Sequence, residues 1–275
     1  MDVPGASRGI GASLMPILER LPVLSRYAKT RGWHYVISWL HRFTGIGLII
    51  ILMAHMLTLS LLQTPDVFNP KLKLVVSPIC LFLVWASSLV VSFHALNGGR
   101  LILYELFGRR DDEGMIRWIF GLSAAYSAMV GLMMIVKNQH VSAFFFWLVA
   151  FFSGAVAAYV VASRIWKKRH SLLWKLQRIS GAFLFVTVPA YLLFSYLNPG
   201  EPAGVQGAIV RVQNVFTRLV TLTLATGALY HAGYGLFSIA ADYVPSPTVR
   251  AGMTGIIVIV IAVLAFFAFR LILSV

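Results

Sequence analysis

The chain has 275 residues, 59% hydrophobic and 12% charged, with a mean hydropathy of +0.82. A water-soluble domain is close to half apolar and about a quarter charged, so a soluble core is excluded as the container for this much apolar surface and a membrane protein fits instead. The formal net charge is +14, from 23 Lys and Arg against 9 Asp and Glu, but the cations cluster between apolar runs, where the positive-inside rule puts them, which argues against nucleic acid as the partner.

The first 32 residues lack the apolar core of a secretory signal and read as a basic cytoplasmic arm. A bilayer core about 30 Å thick takes roughly 20 helical residues. Spans are expected at 43–62, 74–96, 118–136, 141–162, 179–197, 219–241 and 251–269, several continuing as helix beyond the lipid. Turn-rich or charged segments such as 63–70, 108–114 and 198–207 separate them. The single Cys80 falls inside the second span, so there is neither a disulfide framework nor a cysteine metal cluster. Alternation with period two is absent from the spans, which argues against a β-barrel.

The cations assign a sidedness. Arg8, Arg20, Arg26, Lys29, Arg31 and Arg42 precede or open the first span; Arg100, Arg109, Arg110 and Arg117 fall in the second loop; Arg164, Lys167, Lys168, Arg169, Lys175 and Arg178 fall in the fourth; Arg250 falls in the sixth. The odd loops hold fewer: Lys71 and Lys73, then Lys137, then Arg211 and Arg218. The amino terminus is therefore expected on the cytoplasmic side and the carboxyl terminus on the other.

The chain also resembles itself. His94-Ala95-x-x-Gly98 returns as His231-Ala232-x-x-Gly235, a shift of 137, and eleven residues after each His stands an acid, Glu105 and Asp242. Upstream, His41-Arg42-Phe43-Thr44-Gly45 returns as Gln177-Arg178-Ile179-Ser180-Gly181, a shift of 136. Two three-span units that start on the same side need one extra crossing between them, and the span at 141–162, which carries no repeated motif, supplies it. The expected architecture is an all-α membrane protein of about seven transmembrane helices in a 3+1+3 arrangement with two parallel pseudo-repeats. Its parts are an arm (1–32), a first three-helix unit (33–137), a connector helix (138–170) and a second three-helix unit (171–275).

Each of His94 and His231 lies eleven residues, about 16 Å of helix, before its acid. Two parallel helices thus carry imidazoles at matched depth, which suits axial ligation of one haem iron: neutral imidazole is cheaper to bury than a charge, and the ligand bond replaces lost hydration. A lone intramembrane His serves equally well as an interhelical hydrogen-bonding group; the matched pair is what points to ligation. Gly98 and Gly235 offer small faces either to a flat macrocycle or to a neighbouring helix. The repeat partner of His55 is Tyr191, which argues against a second bis-His haem. His140 is a weak ligand candidate from a loop, while His34 and His170 sit in basic interfacial stretches.

Ser38, His41 and Arg42 occur at i, i+3 and i+4 and share one helix face. A quinone headgroup needs hydrogen-bond donors at its carbonyls and protons on reduction. The Ser38 hydroxyl and Arg42 guanidinium supply donors, Tyr243 a phenolic donor, and Asp242 an acid near the surface for proton uptake. Lipid-phosphate anchoring is an equal reading of Arg42. Arg178, its repeat mate, suits a haem propionate or the same lipid role.

The run Ser38-Trp39-Leu40-His41-Arg42-Phe43-Thr44-Gly45 resembles the opening motif of the large cytochrome b subunit of succinate dehydrogenase, and His94-Ala95-Leu96-Asn97-Gly98-Gly99-Arg100 resembles its haem helix. His231 through Asp242-Tyr243-Val244 resembles the haem helix of the small anchor subunit. The likeness covers most of 33–270 in family order, as though the two anchors of a succinate dehydrogenase or fumarate reductase were joined by an added helix. It implies haem b on His94 and His231, with His41 and Arg178 among the haem-binding residues. It also implies ubiquinone or menaquinone at Ser38, Arg42 and Tyr243, and proton delivery by Asp242. Partners implied are an iron–sulfur subunit and a flavoprotein subunit, in a bacterial cytoplasmic membrane. Two positions depart from the family pattern: Leu101 replaces a usual His, and Glu105 a common Asp. Another di-His cytochrome b anchor, a duplicated transporter and a haem-free anchor are the rival readings.

Overall fold

The computed structural model describes residues 20, 22–60, 77–108, 112–136, 139, 141–197 and 214–274. The segments 63–70 and 198–207, with Arg8, Lys71, Lys73, Arg109, Arg110, Lys137, His140 and Arg211, lie outside the described residues.

Among the described residues there are eight helices and no strand: α1 Pro22–Arg31, α2 Trp33–Ser60, α3 Pro78–Phe107, α4 Asp112–Val136, α5 Ala143–Ile165, α6 Leu172–Leu197, α7 Val215–Tyr243 and α8 Pro247–Ser274. The arm thus carries a short helix of its own. Six of the seven long helices are long and apolar enough to cross a membrane: α2, α3, α4, α5, α6 and α8. At 29 residues α7 has the length, but Thr217, Arg218, Thr221, Thr223, Thr226, Tyr230 and His231 lower its apolarity. It packs against α2, α5, α6 and α8, and the hydroxyls of Thr221, Thr223 and Thr226 donate to carbonyls one turn back on their own helix, which satisfies them without water. Large apolar side chains such as Phe43, Phe145, Val149 and Ile259 face outward, and the helices satisfy their own backbone groups, as a hydrocarbon solvent requires.

Local chemistry fixes the helix ends. Gly32, at φ +80°, donates its N–H to the Ala28 carbonyl at 2.9 Å and separates α1 from α2; only glycine adopts this left-handed turn without strain. Ser77 caps α3 by accepting from the Cys80 N–H, with Pro78 in the first turn, where a missing N–H costs nothing. Asn214 caps α7 by accepting from the Phe216 and Thr217 N–H groups.

The packing has a pseudo-two-fold pattern once α2, α3 and α4 are matched to α6, α7 and α8. Contact between α3 and α6 is mirrored by α2 with α7, and contact between α4 and α6 by α2 with α8. Two residue pairs touch their own repeat mates and so mark the axis: His94 with His231, and His55 with Tyr191. The helix α5 breaks the symmetry by lying along α6. Gly154 permits that approach, since a Cβ there would stand 2.8 Å from Thr187 Cγ2 and 3.1 Å from a Phe183 ring carbon. In α6, Pro189 sits inside the helix, and Tyr126 from α4 donates to the Pro189 carbonyl at 2.6 Å.

Candidate functional site

The structure brings His94 and His231 side by side. The ring centroids of His94 and His231 are 6.3 Å apart and nearly perpendicular, at 88°. A metal–imidazole bond is about 2 Å and the ring centre lies about 1 Å behind the nitrogen, so two imidazoles on opposite sides of one metal have centroids about 6 Å apart. Each ring is seated the same way on the helix of its own repeat. His94 Nδ1 lies 3.2 Å from the His41 carbonyl and 3.3 Å from Thr44 Oγ1, while His231 Nδ1 lies 3.5 Å from Ser180 Oγ. A hydrogen bond at Nδ1 orients the ring and leaves Nε2 as the ligating nitrogen. Below each ring is a glycine: a Cβ on Gly45 would stand 3.0 Å from His94 Cε1, and one on Gly181 3.1 Å from His231 Cε1. The duplicated Ser/Thr-Gly dipeptide is therefore the seat of each imidazole, a role not identified for those two residues from sequence.

The next positions repeat the theme. His41 stacks on His94 at 4.1 Å and 6°, and its Nδ1 is buried without a partner. Its repeat mate Gln177 donates to the His231 carbonyl at 3.2 Å and buries an unpartnered Oε1. Gly98 and Gly235 face these two side chains: a Cβ on Gly98 would stand 3.7 Å from His41 Cε1, and one on Gly235 3.8 Å from Gln177 Nε2. Orphaned polar atoms beside the paired imidazoles are what a bound group with polar edges would satisfy. Among the described residues no group of three or more His, Cys, Asp or Glu is placed to hold a metal ion by itself, whereas a macrocycle that brings its own donors would need only the two imidazoles.

These groups line a cavity of about 1780 Å³ between the repeats, larger than the roughly 300–1,000 Å³ usual for one small ligand. Ser38, His41, Arg42, His94, Arg178, His231 and Asp242 are on its wall, as are His55 and Tyr191, whose Nε2 and hydroxyl are 3.3 Å apart. Arg100, a loop cation by the positive-inside pattern, is 5% exposed and lines the same cavity. Its Nε donates to Asn97 Oδ1 at 3.0 Å and its guanidinium lies over the Tyr104 ring at 5.4 Å.

At the end rich in cations, the four residues expected to serve a headgroup come together across 200 positions of sequence. Arg42 donates to Ser38 Oγ and, at 3.3 Å, to the Ser38 carbonyl. It also reaches Asp242 Oδ2 at 3.4 Å and lies over the Tyr243 ring at 5.3 Å. Trp39 packs on Tyr243 at 5.1 Å. The Arg178 guanidinium makes two 2.6 Å bonds with Glu105 and lies over Trp174 at 4.8 Å. Each opening arginine thus pairs with the closing acid of the other repeat, which no within-repeat spacing could indicate. His170 packs on Trp174 at 4.0 Å with the rings tilted by 31°, away from the histidine pair.

Fold and site define a duplicated helical membrane protein with one central imidazole pair. The family model "Succinate dehydrogenase/Fumarate reductase transmembrane subunit" matches the chain twice, over residues 20–131 and 158–269. The chain belongs to this family, with two copies of its unit in one polypeptide, and it is an integral membrane protein. It is 34% identical over 88 residues to the succinate dehydrogenase 2 membrane subunit SdhC of Mycobacterium tuberculosis, a match covering 30% of this chain and 64% of that relative. No solved structure matches the chain.

Proposed function

We propose that the chain is the membrane anchor of a succinate:quinone oxidoreductase, holding one haem b between His94 and His231 and delivering electrons from an iron–sulfur subunit to quinone. The observation that carries this reading is the imidazole pair, 6.3 Å apart with each Nδ1 held by its own repeat. When bound, haem b supplies a one-electron station within the bundle. His94 and His231 would hold its iron, Arg178 and the buried Arg100 on the cavity wall would meet its carboxylates, and His41 and Gln177 would border its edge.

The quinone ring sits at the cluster of Ser38, Arg42, Asp242 and Tyr243. Arg42 and Tyr243 donate to its carbonyls, and Ser38 accepts from Arg42 and holds the guanidinium in place. Reduction to quinol consumes two electrons and two protons. The Asp242 side chain is 52% exposed and within reach of Arg42, so it stands between bulk water and the headgroup on the path the protons would take. Ubiquinone and menaquinone fit this chemistry equally. The basic arm and loops face the bacterial cytoplasm and carry the iron–sulfur and flavoprotein partners.

Purification of the tagged chain from its native membrane tests the reading. The expected preparation contains an iron–sulfur subunit and a flavoprotein, reduces quinone with succinate, and shows a b-type α-band on reduction. A duplicated transporter or a haem-free anchor would show no such band, and a different respiratory anchor would bring other partners.

A further inference from the structure

The repeat makes two crossed ion pairs equivalent by descent, but they are not equivalent in build. The Arg42–Asp242 pair is a single contact at 3.4 Å, with the acid half exposed. The Arg178–Glu105 pair is bidentate, 2.6 Å on both arms, and is tightened from two sides. Trp174 lies under the guanidinium at 4.8 Å, and Lys168 from the loop after α5 donates to the Glu105 carbonyl at 3.3 Å. The neighbours differ in the same sense. Ser38 and Tyr243 at the first pair are replaced at the repeat-related positions by Trp174 and Leu106 at the second, so hydroxyl groups give way to apolar cover.

The second pair also joins the right elements. Glu105 is on α3, the helix of His94. Arg178 is on α6, two residues before Ser180 and three before Gly181, the residues that seat His231. A rigid bond between these helices therefore sets how far one imidazole stands from the other. The planar fork of arginine against a carboxylate fixes orientation as well as distance, which a lysine would not do.

We infer that Glu105 is a positioning residue: through its two-pronged bond to Arg178 it clamps α3 to α6 and holds the axial imidazoles of His94 and His231 at the separation one haem iron requires. The inference rests on the haem reading above. By contrast, the looser Arg42–Asp242 pair is the one left free to exchange its partner for a ligand carbonyl. Groups hydrogen-bonded directly to a metal ligand change metal affinity by about 10–100-fold when lost, and a clamp acting through the seat of His231 is expected at the low end of that range.

The test uses the intact complex, with wild type, E105Q, R178Q, R178K and the exchanged double variant E105R/R178E. Two quantities are read: the rate of haem transfer to apomyoglobin, and the low-spin ferric EPR signal, which reports the ligand ring geometry. E105Q and R178Q are expected to lose haem about 10-fold faster and to shift the EPR signal alike. R178K is expected to behave as these two do, and the exchanged pair to return both readouts toward wild type. A wild-type signal and rate in E105Q would overturn the clamp, as would a shift confined to R178Q, which would assign Arg178 a direct carboxylate contact independent of Glu105. If E105Q failed to assemble, R178K would decide the matter, because wild-type behaviour there would equally overturn the clamp. A wild-type complex without haem would instead remove the reading beneath the inference.

Discussion

Substitution of Gly45 by alanine puts a single methyl group against a proposed haem ligand. The added Cβ would stand 3.0 Å from His94 Cε1. Carbon atoms in contact prefer about 3.5–4.0 Å, so the ring must retreat by about half an ångström or the helices α2 and α3 must part. Overpacking of this kind costs about 1–3 kcal/mol, and the ring's retreat falls directly on the bond from Nε2. Gly47 is two residues along the same helix and would meet nothing within 4 Å. There alanine gains helix propensity, up to about 1 kcal/mol. The two substitutions therefore have opposite expected signs despite identical chemistry. In the purified complex, G45A is expected to lower haem content per flavin and the thermal midpoint together, while G47A holds haem content and keeps or raises the midpoint. The repeat provides an independent second copy of Gly45: G181A, with its Cβ 3.1 Å from His231 Cε1, should behave as G45A, while G255A on α8, with nothing within 4 Å, serves as a further control beside G47A. Equal haem content in G45A and G47A would refute the reasoning that these glycines seat the imidazoles.

Arg42→Lys keeps the charge but loses the fork that spans Ser38 and Asp242; succinate-driven quinone reduction should fall about tenfold or more, with haem content unchanged, and full activity in steady-state assays would count against the cluster. Tyr126→Phe removes the hydrogen bond to the Pro189 carbonyl and should lower stability in detergent by about 1 kcal/mol, measured by thermal unfolding. Gly154→Val drives side chain into Thr187 and Phe183 and should separate α5 from α6, with a larger loss of stability than Tyr126→Phe; a neutral result would contradict the close crossing.

Much of this architecture is written in patterns that survive without three-dimensional knowledge. Apolar runs of about 20 residues mark helices in a bilayer, and the repeat of His-Ala-x-x-Gly with its acid eleven residues on relates His94 to His231. What escaped was lateral rather than longitudinal. Sequence spacing places Arg178 beside its own repeat's residues, yet a two-fold axis sends each opening arginine to the opposite repeat's acid, Arg178 to Glu105 and Arg42 to Asp242. Arg100 looks like a loop cation by the positive-inside pattern, but α3 runs on to Phe107 and carries it into the cavity wall, 5% exposed. Thr44-Gly45 and Ser180-Gly181 were visible as a duplicated dipeptide; that they face the imidazoles depends on how α2 meets α3 and α6 meets α7.

The central claim is that one iron lies between two specific histidines. Reduced-minus-oxidised optical spectra of the intact complex, recorded for wild type, H94A and H231A, address it most directly. A b-type α-band in wild type that disappears or changes ligation in each single variant is the expected result. An unaltered band in either variant, in a complex that assembles with its partners, would contradict the ligation of that iron by this pair.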